Sequence, residues 1–165
     1  MNILILSADG FEDLELFYPY FRLMEEGYNV QIASNKRKIE GKKGYKVIVD
    51  LKFSEVNPDD YDGLVLPGGI GPETVRLDIN AVNITKNFMD DKKPVASICQ
   101  GIQVLISAGE IKGKKAVCWY GVKDDLIAAG GIFVDKGVVV DDNLVSSRHP
   151  WDLSEFMGEY LKKFE

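Results

Sequence analysis

Short β-branched and aliphatic runs alternate along this chain with longer stretches of helical period. That alternation leaves little room for anything but a mostly parallel sheet covered by helices. The runs are Ile3–Ser7, Val30–Ala33, Val47–Val49, Leu64–Leu66, Val95–Ile98, Ala116–Cys118, Ile132–Val134, Val138–Val140 and Leu144–Ser146. The last three are short and separated by Gly, Asp and Asn, which predicts a small antiparallel addition. No repeat or linker divides the 165 residues, so one domain over residues 1–165 is expected.

Between the strands the apolar residues fall on helical faces. Leu14, Phe17, Phe21 and Met24 share one side of a first helix, with Gly27 as its stop. Ala81, Ile84, Thr85 and Phe88 share another, which ends before Pro94, and Leu153, Phe156, Met157, Tyr160, Leu161 and Phe164 form a stripe on the last. Each stripe is expected to face the core. Pro19 falls inside the first helix, where its ring nitrogen cannot donate to the Glu15 carbonyl. A bend around Glu15 is expected, and a carboxylate there, near the end of the first strand, is a candidate site residue.

Composition excludes several classes of function. The net charge of -6 argues against nucleic acid or an anionic membrane as the main partner. Lys36, Arg37, Lys38, Lys42 and Lys43 cluster, but Glu40 interrupts them and no aromatic is interleaved, the pattern of a solvated loop. No apolar run approaches the roughly 20 residues that span a bilayer, and Met1 enters a strand pattern without a leader. Cys99 and Cys118 lie outside any CxxC spacing, and there is one histidine, which suits neither a disulfide framework nor a metal set. A cytoplasmic protein without metal, nucleotide or other cofactor is expected.

The most informative segment runs from Pro94 to Gly109. Val95–Ile98 reads as a buried strand and Gly101–Ala108 as the helix after it, which puts Cys99 on the turn between them. Ser97 and Gly101, two residues to either side, have the small side chains that a nucleophile elbow demands. Sites in open α/β sheets lie at the carboxyl ends of strands, so the turn is on the functional edge. Amides at a helix start favour a thiolate, so Cys99 is expected to titrate below a free cysteine. Cys118 ends a strand without such a turn and reads as core.

A second strand, Leu64–Leu66, runs into the glycine-rich turn Pro67, Gly68, Gly69, Ile70, Gly71. Neither the dinucleotide fingerprint nor a P-loop fits this spacing. The glycines let a backbone N–H approach a substrate, and the N–H groups of Gly69 and Gln100 together are a candidate oxyanion hole.

These pieces together resemble the ThiJ/PfpI superfamily, and within it the PfpI-type intracellular protease branch. The resemblance rests on Phe11 to Glu15 with Pro19, Leu66 to Gly69 with Pro72 and Glu73, and Ala96 to Cys99 with Gly101. Lys123 to Asp125 and Ser146 to Arg148 with Pro150 complete it, so it spans the chain. It implies a flavodoxin-like three-layer sandwich with helices on both faces and a cysteine at the elbow tuned by Glu15. It also implies a homodimer or hexamer in which Glu73 comes from a neighbouring chain. Activities in the superfamily include peptidase, glyoxalase, deglycase and isonitrile hydration, besides redox-linked chaperone roles.

One departure bears on chemistry. The PfpI branch usually carries histidine directly after the cysteine, where this chain has Gln100, and other branches place one where this chain carries Trp119. The only histidine, His149, lies in a segment that the resemblance places near the elbow, and it is the candidate replacement base. Peptide hydrolysis, which needs an acid for a poor amine leaving group, suffers most from this loss. Addition of the thiol to a reactive carbonyl suffers least, with Glu15 moving the proton if burial and the nearby thiolate raise its pKa. The expectation is thus a cysteine enzyme acting as a peptidase or on small carbonyls. The alternative is a non-catalytic redox sensor or chaperone in which Cys99 is oxidised. A glutamine amidotransferase relative would need a His-x-Glu pair that His149 and Trp151 do not supply.

Overall fold

The computed structural model describes residues 1–165. Its centre is a seven-stranded sheet built from β1 (Asn2–Leu6), β2 (Asn29–Ser34), β5 (Leu51–Lys52), β6 (Gly63–Leu66), β7 (Val95–Ile98), β10 (Val138–Asp141) and β11 (Leu144–Ser147). The order across the sheet is β10-β11-β7-β6-β1-β2-β5, and every neighbouring pair is parallel except β10 with β11. Two small ribbons flank it. Strands β3 (Lys38–Glu40) and β4 (Lys46–Ile48) pair antiparallel, and β8 (Lys115–Ala116) pairs parallel with β9 (Ile132–Phe133).

The flavodoxin-like sandwich is therefore present, with an antiparallel addition at one edge. Its membership differs from the sequence pattern. Leu144–Ser147 joins the main sheet parallel to β7, and Ile132–Phe133 leaves the addition to pair with Lys115–Ala116. Strands β3 and β5 show no aliphatic run in the sequence, because Lys38, Glu40 and Lys52 occupy most of their few positions.

Helices lie on both faces of the sheet: α1 (Asp13–Glu25), α2 (Gly71–Val75), α3 (Ile79–Asp90), α4 (Ile102–Ser107), α5 (Lys123–Ala128) and α6 (Leu153–Leu161). The alternating side chains of the central strands divide between two cores. Leu4, Leu6, Leu64 and Leu66 pack with Ile84, Phe88, Ile102 and Leu105, while Ile3, Ile5, Val65 and Ile98 pack with Leu16, Leu23, Phe156 and Met157. The predicted faces of α3 and α6 are buried.

The predicted face of α1 is not. Leu14, Phe21 and Met24 are exposed, and the residues turned inward are Asp13, Glu15, Leu16, Pro19 and Leu23. The helix also runs through Pro19 without a break. Glu15 is buried because it lies on the inward side of the helix with Leu16, Pro19 and Leu23, and needs no bend to reach the interior.

Connections run outward from the middle of the sheet in both directions. β1 leads through α1 to β2 on one side, while β6 leads through α2 and α3 to β7 on the other. The crevice at the carboxyl ends of β1 and β6 is where such a sheet accepts a ligand.

Candidate active site

Three loops meet at that crevice, one each after β1, β6 and β7. The first two are stitched by backbone hydrogen bonds: Glu12 donates to the Gly68 carbonyl at 3.1 Å and Ile70 to the Gly10 carbonyl at 2.9 Å. Cys99 sits at the end of β7 with φ of +60°, a left-handed conformation that costs a non-glycine residue about 1–3 kcal/mol. The surrounding contacts impose that geometry. A side chain at Gly101 would strike the Leu66 carbonyl and the Ser97 hydroxyl, so the small residues flanking the elbow are a packing requirement.

Glu15 reaches the elbow from α1. It is fully buried, and its Oε1 accepts the Gly68 N–H at 2.9 Å. Gly68 is the spacer between the two groups. A Cβ there would fall 2.5 Å from Glu15 Oε1 and 2.6 Å from Cys99 Cβ. The carboxyl's other oxygen, Oε2, is buried with no hydrogen-bond partner. Glu12 accepts the Glu15 N–H at 2.9 Å and caps the helix, which fixes where the turn carrying Glu15 begins.

The electrostatics tie the two groups together. Burial first, and the Glu12 carboxylate second, push the Glu15 carboxyl up to about 8, so it holds its proton at neutral pH. The raised carboxyl and its burial agree with the sequence-based expectation, but the charge that adds to the shift is Glu12 and not the Cys99 thiolate. The thiol moves the other way from expectation. Burial and the Glu15 carboxylate push Cys99 up to about 12, against the N–H groups of Gly69 and Gln100, which hydrogen-bond the sulfur and lower it. The helix-start argument fails for a physical reason: α4 is six residues long and follows a 3-10 turn, so its dipole is weak beside desolvation. Cys118 is fully buried, as read, and burial pushes its thiol up to about 12 as well.

Cys99, Glu15, Gly69, Gln100 and His149 line a single cavity of about 320 Å³. Glu73 does not. It lies exposed on α2, outside the cavity of its own chain. Glu12, Lys42, Ile70, Trp119 and Pro150 complete the walls. Lys36, Arg37, Lys38, Lys42 and Lys43 are all exposed, as a solvated loop should be, and only Lys42 of them also reaches the cavity wall. Its N–H donates to the Phe11 carbonyl at 2.9 Å, which brings the loop between β3 and β4 over the β1 turn. No local signal marks it, because the contact joins residues 31 positions apart. Trp119 was visible only as the place of a missing imidazole, and its N–H donates to the Cys99 carbonyl at 3.2 Å. No group of three or more His, Cys, Asp or Glu is placed to hold a metal, and no helix is long and apolar enough to cross a membrane.

Comparison with known proteins places this geometry in context. A model described as the DJ-1/PfpI family matches residues 1–163. The chain is 58% identical over 163 residues to a deglycase of Thermococcus kodakarensis, covering 98% of each. It is 57% identical over 163 residues to deglycase PfpI of Pyrococcus furiosus, again covering 98% of each. Among solved structures, a ThiJ/PfpI domain protein from Brachyspira murdochii superposes with a TM-score of 0.93 at 27% identity, over 99% of this chain and 95% of that one.

Proposed function

Because the chain belongs to the DJ-1/PfpI family, we propose that it is a Cys99-dependent enzyme acting on reactive 2-oxoaldehydes and their amine adducts, a deglycase-like activity. The observation that carries this reading is the pairing of the strained Cys99 elbow with a buried, protonated Glu15 in one cavity. The names of the most similar relatives support it.

Glu15 and Cys99 hold two protons at neutral pH, one leaving near 8 and the other near 12. A coupled pair of this kind makes its nucleophile inside the site, since the anion formed by losing the first proton is shared between oxygen and sulfur. Attack forms a carbon–sulfur bond as the carbonyl π electrons move to oxygen. The N–H groups of Gly69 and Gln100 hydrogen-bond the sulfur, which supports a role for them as the donors to that oxyanion. In the singly ionised pair, where Glu15 has already lost its own proton, the carboxylate takes the thiol proton. Moving the aldehyde proton to the neighbouring carbonyl carbon then yields a thioester of a 2-hydroxy acid, and water releases it. The net change is addition of one water to the 2-oxoaldehyde, and no external oxidant or reductant is consumed. From a hemiaminal adduct the C–N bond breaks as the hydroxyl oxygen forms the aldehyde carbonyl, the Glu15 proton going to the departing amine and the hydroxyl proton returning to Glu15.

In this scheme His149 on the cavity wall handles the proton of the attacking water, the task that Gln100 cannot take. Amide hydrolysis ranks below carbonyl addition, because an amide carbonyl is a poorer electrophile than an aldehyde and its amine is a poor leaving group. Assembly into a dimer or hexamer that brings a neighbour's Glu73 to the cavity mouth belongs to the same proposal.

Methylglyoxal consumption with lactate release, and release of free amine from a methylglyoxal-treated lysine derivative, test the reading directly. Wild type turns over both, and Cys99→Ala loses at least 100-fold of either activity, an expected loss on the order of covalent catalysis. Cys99→Ala with unchanged turnover sinks the proposal. Absence of turnover with ready peroxide oxidation at Cys99 replaces it with the redox-sensor alternative.

A further inference from the structure

Resting on the Cys99 reading, we propose that Asp152 is a positioning residue that holds the His149 imidazole with Nδ1–H toward its own carboxylate, leaving Nε2 as the proton carrier on the Cys99 cavity.

The argument starts with an orphaned atom. His149 Nδ1 is buried and has no hydrogen-bond partner. Buried ring nitrogens without partners are rare, and each asks for an explanation. The nearest carboxylate oxygen is Asp152 Oδ2, 3.7 Å away. That is a few tenths of an ångström beyond a hydrogen bond, and such contacts commonly tighten when an empty site is filled. The ring is about a quarter exposed, and it opens on the cavity that holds Cys99.

The backbone builds this pair locally. His149 precedes Pro150 and is held fully extended at φ -166° and ψ 173°. The 3-10 turn Pro150–Asp152 then folds back, with the Asp152 N–H donating to the His149 carbonyl at 3.0 Å. The carboxylate is thereby returned beside the imidazole three residues earlier.

Asp152 is itself anchored. Arg148 grips it with two parallel bonds, Nε to Oδ2 and Nη2 to Oδ1, both 2.9 Å. Arg148 Nη1 donates to the Tyr120 hydroxyl at 3.3 Å, and that hydroxyl donates to Asp135 at 2.9 Å. Burial works against the Asp152 charge, but Arg148 and His149 outweigh it and hold the carboxyl below the usual range. A fixed anion beside Nδ1 selects the tautomer that carries its proton there, which is how a carboxylate orients a catalytic imidazole.

Because His149 is the only histidine, its imidazole is a single-residue spectroscopic reporter. Nitrogen-15 NMR of the wild-type protein should show the Nδ1–H tautomer, and Asp152→Asn, whose amide can donate to Nδ1, should shift it toward Nε2–H. An Nε2–H tautomer in wild type overturns the proposal without any variant, as does an unchanged tautomer in folded Asp152→Asn.

A double-mutant cycle on methylglyoxal turnover supplies the second readout. Asp152→Asn and His149→Ala should each lower kcat at least tenfold with little change in KM, and the double variant should be no slower than His149→Ala. A full further loss from Asp152→Asn in the His149→Ala background makes Asp152 structural and overturns the proposal. Full turnover by Cys99→Ala would remove the parent reading, while the imidazole spectrum would still decide this one.

Discussion

Helices α1 and α6 pack on the same face of the sheet and touch each other, yet they use their surfaces in opposite ways. Both carry an apolar stripe of helical period. On α6 the residues Leu153, Phe156, Met157 and Tyr160 are buried, and the Tyr160 hydroxyl donates to the Leu64 carbonyl at 3.1 Å. On α1 the stripe faces out. Leu14 is 57% exposed and Phe21 56%, and Phe17 packs edge-on to Tyr45 from the β3–β4 ribbon. The inner face of α1 at its first turn belongs instead to Glu15, which reaches Gly68, and to Asp13, which accepts the Lys43 N–H at 3.0 Å. A helix that delivers a buried acid to a site gives up core positions to do so. Its apolar residues are then left to another surface.

The comparison is sharpest at Phe156, which is fully buried in the core that α6 completes. Phe156→Ala should cost about 3–5 kcal/mol of unfolding free energy in a chemical denaturation. A loss below about 1 kcal/mol would mean that α6 does not close the core as described.

Glu15→Gln tests the inverted face of α1, and the sign follows from linkage. The folded carboxyl titrates near 8 and its ordinary value is 4.5, so between those values the folded protein binds more protons than the unfolded chain. The stability contributed by the Glu15 proton should be fully present below about 4.5 and be lost as the pH rises to about 8, by on the order of 4 kcal/mol. Glu15→Gln should flatten that fall. It should also speed alkylation of Cys99 at pH 9, since the carboxylate that raises the thiol is gone. The same pH slope in both proteins would show that Glu15 is not the buried acid.

The smallest effect belongs to the outer stripe. Phe21→Ala on the isolated chain should change stability by no more than about 0.5 kcal/mol, since the ring is mostly in solvent. A cost approaching that of Phe156→Ala would erase the contrast between the helices. A change in sedimentation rate at unchanged stability would sharpen it, by showing that the stripe is covered by a second chain.

Much of the candidate site was legible because its signals are local. Ser97, Cys99 and Gly101 announce the elbow through side-chain size at fixed spacing, and Gly68 and Gly69 announce a close approach of backbone. Glu15 was singled out through the bend expected at Pro19, and the structure places it correctly for a different reason. Lys42 and Glu12 were missed because they reach the cavity through contacts between loops that are distant in sequence or through a cap. The direction of the Cys99 shift was misread because proximity to a helix start is visible in a sequence, whereas desolvation is not.

The order of residues alone determined the parallel sheet, the position of the thiol on a strand-to-helix turn and the small neighbours that turn requires. These follow from backbone geometry within a few residues. Folding in three dimensions decided which way the α1 stripe faces, that Glu15 keeps its proton beside Cys99, and that Asp152 returns to His149. Burial and charge interaction depend on everything within several ångströms of an atom, and most of those neighbours lie far along the chain.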